Sequence, residues 1–218
     1  MEFEFSIRQT LRQSWQIFTK HLWFFITIAF VMFIFNIFSS SHHNVWLKAL
    51  AFVAMVLWSY VTLSVTLAAV DGKEGMLSFD MLKAHLPTIM EFLKLIAVGV
   101  LAGLIIVLGF VLLIIPGVYF GVRLCFVNLA FVDRKGSVGG TLKYSWHLVK
   151  GDIFWSVFLV LIVAIALIFL GAIVFGVGML VTYPIAMLLI AFCYRALTTF
   201  QSKQMAQQPT EVSHATSA

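Results

Sequence analysis

The sequence predicts an all-α fold: a polytopic membrane bundle of six transmembrane helices, built as three hairpin repeats, each preceded by an amphipathic helix at the membrane interface. Three observations predict it. First, 62% of the 218 residues are hydrophobic and 11% are charged, with a mean hydropathy of +1.04. A soluble domain has roughly 45–50% apolar and about 25% charged residues, so this chain needs lipid as its solvent. Second, the apolar residues fall in long runs, near the roughly 20 residues that a helix needs to cross a bilayer core of about 30 Å. Backbone groups in lipid must bond internally, which makes each run a helix. Third, the element Thr10-Leu11-Arg12-Gln13-Ser14-Trp15 returns as Thr141-Leu142-Lys143-Tyr144-Ser145-Trp146, each time just before a pair of apolar runs.

The N-terminus, Met1-Glu2-Phe3-Glu4-Phe5, lacks the basic start and short apolar core of a cleaved signal peptide. The first run, 22–38, is therefore expected to stay as a span. A polar turn, Ser39 to Asn44, separates it from the second run, 49–70, which Asp71-Gly72-Lys73-Glu74-Gly75 ends. The third run is 95–115, and Pro116-Gly117 turns the chain into the fourth, 118–132, which contains Arg123. Residues 153–194 carry no charge. Their length fits two spans, with a turn near Gly176-Val177-Gly178 and Tyr183-Pro184 starting or kinking the second. Residues 1–203 form one membrane domain with modules at about 6–73, 77–135 and 137–203; the polar stretch 204–218 is expected to be a disordered cytoplasmic tail.

Charge sets the orientation. Apart from Lys48 and Arg123, every Lys and Arg falls on one side of the six spans. Basic residues stay cytoplasmic, so both termini are expected there. The net charge of +5 and pI near 9.4 are thus topology signals and do not form a nucleic-acid patch.

In the repeated element, Ile7, Leu11, Trp15 and Phe18 match Val138, Leu142, Trp146 and Val149. Both sets step by four, four and three, the period of one helix face. A divergent middle copy starts at Met81-Leu82-Lys83 with Leu86, Ile89 and Leu93, interrupted by Pro87. The span ends also correspond: Ala69-Val70-Asp71-Gly72-Lys73 resembles Phe131-Val132-Asp133-Arg134-Lys135. The predicted helices place Trp15 and Trp146 at headgroup depth and turn Arg12, Lys143 and Lys150 toward anionic lipid. They could equally be plain connectors between hairpins.

Arg123 is the sharpest single residue. A charge within a bilayer costs about 2.5–3.5 kcal/mol on insertion scales. It stands roughly 9 Å past Gly117, at about 1.5 Å per residue. Two readings compete: a cation that meets an anionic headgroup or solute, or a structural Arg that bonds the carbonyls near Ile114 and Ile115, where Pro116 breaks the helix. Gly99 with Gly103, and Gly117 with Gly121, have the GxxxG spacing of close helix packing, and Ala172 with Gly176 gives a small-residue variant. Pro116, Gly117, Gly121, Gly99 and Gly103 are therefore read as hinge and packing positions.

The acidic residues all lie outside or at the ends of spans, which weighs against a proton- or cation-coupled transporter. Cys125 and Cys193 have no metal spacing and read as packing residues. His42-His43 reads as a solvated turn. No HExxH, GxSxG or P-loop is present, so no catalytic residue, metal or cofactor is assigned.

The stretch Ile114-Ile115-Pro116-Gly117-Val118-Tyr119, then Arg123, then Leu142-Lys143-Tyr144-Ser145-Trp146-His147-Leu148-Val149-Lys150-Gly151, resembles the YciC-like bacterial inner-membrane proteins, a family of unassigned activity. It is also similar to the membrane domain fused to some bacterial glycerophosphodiester phosphodiesterases. The likeness covers about 95–151. The resemblance implies a polytopic protein of a bacterial inner membrane; the phosphodiesterase's catalytic domain has no counterpart in this chain, so no hydrolase residue carries over. The expectation is a non-enzymatic, lipid-organising envelope protein, acting through basic interfacial helices and Arg123. Two alternatives stand beside it: a permease for a small or anionic solute, and a scaffold for a membrane partner. Protein partner and oligomeric state are not specified by the sequence.

Overall fold

The computed structural model describes residues 6–41, 45–72, 87–134, 136–173 and 178–215. The expectations for His42-His43, for Lys73 to Leu86, for Lys135 and for the turn at Gly176-Val177 lie outside the described residues. Among the described residues the chain is helical, without strands. The helices are α1 (Ile7–Lys20), α2 (Leu22–Ser41), α3 (Val45–Val70), α4 (Ile89–Leu112), α5 (Ile114–Leu124), α6 (Val127–Arg134), α7 (Val138–Leu148), α8 (Ile153–Ile173) and α9 (Met179–Ala215).

Among the described residues, five helices are long and apolar enough to cross a membrane: Trp46–Val70, Ile89–Leu112, Ile114–Asp133, Ile153–Ile173 and Met179–Gln204. A sixth crossing is reached if α1 and α2 count as one broken span, bent by 92° at His21. These are the dimensions of a multi-pass helical membrane protein. The span 114–133 is α5 and α6 in sequence, interrupted at Cys125-Phe126. The polar stretch expected to be disordered continues α9 as helix to Ala215, propagated from a well-packed stem.

Burial sorts the spans into inner and outer helices. Only 22% of the α4 window and 17% of the α8 window are buried, against 39%, 44% and 50% for α3, α5–α6 and α9. The outward faces of α4 and α8 are large apolar residues such as Leu104, Leu108, Ile162 and Phe169. That is the surface lipid tails require and water would not tolerate. The inner helices meet through Tyr60, Phe126, Phe131, Leu189 and Tyr194, nearly all inaccessible. Helix α9 is the hub and packs on α8, α1, α2, α3 and α7.

Two hairpins close over glycine pairs. Between α4 and α5 the chain turns at Leu113, which is extended (φ −167°, ψ 157°). Pro116 then sits in the first turn of α5, where a missing N–H costs no helical bond. A Cβ on Gly109 would lie 2.9 Å from Gly117 Cα, and one on Gly117 would lie 2.5 Å from the Phe110 ring. Likewise, a Cβ on Gly178 would lie 2.6 Å from the Gly171 carbonyl oxygen. The GxxxG reading is corrected here: at Gly99, Gly103 and Gly121 a Cβ would meet no described atom within 4 Å. The packed stripe of α4 is Leu95, Val98, Ala102 and Gly109, one residue out of phase with Gly99 and Gly103.

The expected apolar stripes pack on the core except at Trp15, but hydroxyl residues beside them are buried as well. The buried positions are Thr10, Ser14 and Phe18 in α1, and Thr141, Ser145 and Leu148 in α7. Trp15 is 51% exposed. Small hydroxyl residues allow close approach, and each Thr satisfies itself against its own N-cap carbonyl: Thr10 Oγ1 to Ser6 O at 3.0 Å, Thr141 Oγ1 to Ser137 O at 2.9 Å. In the expected middle copy, Ile89 and Leu93 are exposed residues of α4 itself, whose start is capped by Glu91 accepting from the Thr88 N–H at 3.1 Å.

Candidate functional site

Arg123 occupies the last turn of α5, four residues after Tyr119 and so on the same face. Helix α7, capped by Ser137 accepting from the Gly140 N–H at 3.2 Å, packs on α5 and brings Trp146 to the same place. The guanidinium carbon lies 4.8 Å from the Tyr119 ring centroid and 4.6 Å from that of Trp146. The two rings stand edge to face, 5.9 Å apart at 83°. Phe154 backs Tyr119 at 5.4 Å, and Phe120 backs Trp146 at 5.8 Å. The result is an aromatic cage around one cation.

The α7 backbone is fixed at the same point. Ser145 Oγ donates to the Arg123 carbonyl oxygen at 2.9 Å. That carbonyl belongs to the final turn of α5, where no i+4 N–H remains to bond it. Its counterpart Ser14 is equally buried, but its hydroxyl has no partner among the described residues. Helix α1 packs on α9, which is unbroken, so no orphan carbonyl is offered there.

The cage leaves Arg123 electrostatically incomplete. Its Nε is buried without a hydrogen-bond partner, and no carboxylate among the described residues pairs with it. Cation–π contacts supply about 0.5–2 kcal/mol each, close to the cost of placing Arg in a span but without neutralising it. The carbonyl-capping alternative does not describe the side chain, which lies over Tyr119 and Trp146. Lys143 and Lys150 are exposed on and just after α7, beside this site in sequence. Arg12 and Trp15 are exposed on α1, which packs on α9 and α2. The structure therefore brings Arg123 and Trp146 together and leaves Arg12 and Trp15 on a different helix.

A second cluster went unread in the sequence. Arg195 on α9 contacts Asp71 through Nε and Nη2, each at 2.7 Å, and Asp133 through Nη1 at 2.9 Å. Tyr194 Oη donates to the other Asp133 oxygen at 2.9 Å. The side chains are 19–26% exposed, so the cluster is partly desolvated. It joins the ends of α3 and α6 to the middle of α9. Arg195 and Asp71 are 124 residues apart, and Asp133 stands midway between them. That even spacing was the available signal.

Two of the cavities lined by described residues bear on these helices. One, of about 290 Å³, opens between α1 and α9 and is lined by Gln13, Gln16, Ile17, Lys20 and Phe192. The other, about 10 Å³, lies inside the bundle among α2, α3 and α9. Neither is lined by Arg123. Among the described residues no group of three or more His, Cys, Asp or Glu side chains is placed to hold a metal ion. No protein-family profile, curated protein or solved structure matches the chain.

Proposed function

We propose that the protein is a multi-pass component of a bacterial inner membrane that organises or handles anionic lipid without catalysing a reaction. In this reading Arg123 receives the lipid phosphate. The observation that carries it is the aromatic cage: a guanidinium held by Tyr119 and Trp146, with a buried Nε and no described anion partner. A planar guanidinium with free donors suits a phosphate oxygen pair, and a phosphate would supply the missing counter-charge. The exposed Lys143 and Lys150 add attraction for an anionic surface. Both termini are assigned to the cytoplasmic side, from the distribution of Lys and Arg.

The architecture belongs to the same proposal. Three hairpin modules surround an inner trio, α3, α5–α6 and α9. Support comes from the even spacing of Asp71, Asp133 and Arg195, and from the way α1 packs on α9 as α7 packs on α5. The likeness to YciC-like membrane proteins accords with this reading.

Native mass spectrometry of the gently purified full chain tests it, with Arg123→Ala beside wild type. Stoichiometric retention of one anionic lipid, lost in Arg123→Ala while the fold is kept, is the expected result. Equal retention by the variant, or no enrichment of any lipid class, would overturn it.

A further inference from the structure

The pocket between α1 and α9 has a divided chemistry. Ile17 and Phe192 form an apolar side, while Gln13 and Gln16 contribute amides and Lys20 an ammonium. At about 290 Å³ it is near the lower limit of small-molecule sites, roughly 300–1,000 Å³. That is room for a headgroup and too little for acyl chains. Helix α1 stands at 92° to α2. An α2 that crosses the bilayer by itself would set α1 along the membrane surface at this angle, with the pocket at headgroup depth.

The donor set selects among headgroups. Each amide can donate and accept, which matches a hydroxyl that does both. The Lys20 ammonium complements a phosphate and opposes a ligand carrying its own ammonium.

We propose that the α1–α9 pocket binds the phosphoglycerol head of an anionic phospholipid, as a second lipid site separate from Arg123. The inference rests on the lipid-handling reading above but uses none of the same residues. A phosphoglycerol group could also arrive as a free phosphoester, and the test separates the two sources.

The full-length protein is equilibrated with phosphatidylglycerol and phosphatidylethanolamine, and bound lipid is counted by native mass spectrometry. The variants are Gln13→Leu with Gln16→Leu, Lys20→Gln, and each combined with Arg123→Ala. Gln13, Gln16 and Lys20 are exposed, so these changes leave the packed core intact. The expected result is a loss of about tenfold in phosphatidylglycerol retention at one site for either α1 variant. Arg123→Ala removes a different bound copy, and the combination removes both. Phosphatidylethanolamine does not compete. Unchanged retention in the α1 variants, in both backgrounds, overturns the pocket and leaves the Arg123 reading standing. Loss in the α1 variants with none in Arg123→Ala keeps the pocket and overturns the Arg123 reading. Displacement of the bound lipid by an equimolar amount of glycerol 3-phosphate would overturn the assignment to a membrane lipid.

Discussion

Arg195 grips Asp71 through two nitrogen–oxygen contacts of 2.7 Å, although 124 residues of chain separate them. Asp133, midway between them, takes the third contact at 2.9 Å. The ends of α3 and α6 are thereby tied to the middle of α9 by one cation. Removing the cation leaves two carboxylates facing each other in a partly desolvated place, which costs more than losing an exposed ion pair. We expect Arg195→Met to destabilise the protein by about 1–3 kcal/mol, the range for a pair between exposed and buried. Asp71→Asn should cost less, because Asp133 still neutralises Arg195. Thermal unfolding in detergent checks both, and a midpoint for Arg195→Met equal to wild type would show that the cluster is not a fastener.

The glycine pairs give a sharper contrast. Gly109→Ala drives a methyl to 2.9 Å from the Gly117 backbone, and backbone cannot swing aside. Overpacking of this kind costs about 1–3 kcal/mol. Gly99→Ala adds a methyl in open space on the same helix and removes backbone freedom from the unfolded chain, so it should be neutral or stabilising by up to about 1 kcal/mol. Parallel thermal unfolding of the two variants decides the point. If Gly99→Ala were the more damaging, the α4–α5 contact described here would be wrong.

The positions of the spans were legible because a lipid-crossing helix is encoded by composition alone. Leu22, Ile153 and Met179 open helices near where the apolar runs begin. Which spans lie inside was not legible, since α4 and α9 are both apolar and only packing tells them apart. The GxxxG spacing at Gly99 and Gly103 misled for a related reason: it states a distance along a helix and not which face meets a neighbour. The apolar stripe of α1 packs apart from Trp15, but it did not reveal the buried Thr10 and Ser14, whose small side chains fit against a neighbour although they are polar. Arg123 was visible as an anomaly. Its cage was not, because Trp146 arrives from α7, which the whole of α6 separates from α5 in the chain. The Asp71, Asp133 and Arg195 cluster had a sequence signal, but the change of sign at the third position hid it.

The two serines of the repeated element should behave oppositely. Ser145→Ala removes the donor to the Arg123 carbonyl, and a net loss of about 1 kcal/mol is expected. Ser14→Ala removes a buried hydroxyl with no described partner, so it should be neutral or stabilising. Equal losses on thermal unfolding would mean that Ser14 has a bonding partner of its own.

Replacing Arg123 by Lys separates charge from shape. Lysine keeps the positive charge but lacks the planar guanidinium that lies over Tyr119 and Trp146 and can grip two phosphate oxygens. If the cage acts by charge alone, Arg123→Lys retains anionic lipid like wild type. If the stacked, bidentate geometry matters, the variant should lose about tenfold in lipid retention, a difference of roughly 1.4 kcal/mol. Trp146→Leu should weaken retention in the same direction while leaving the charge in place, because the ring at 4.6 Å orients the guanidinium. Native mass spectra of these two variants beside wild type make the comparison. Loss in both supports the cage as the working part of the site, whereas retention in both would reduce Arg123 to a charge near the membrane surface.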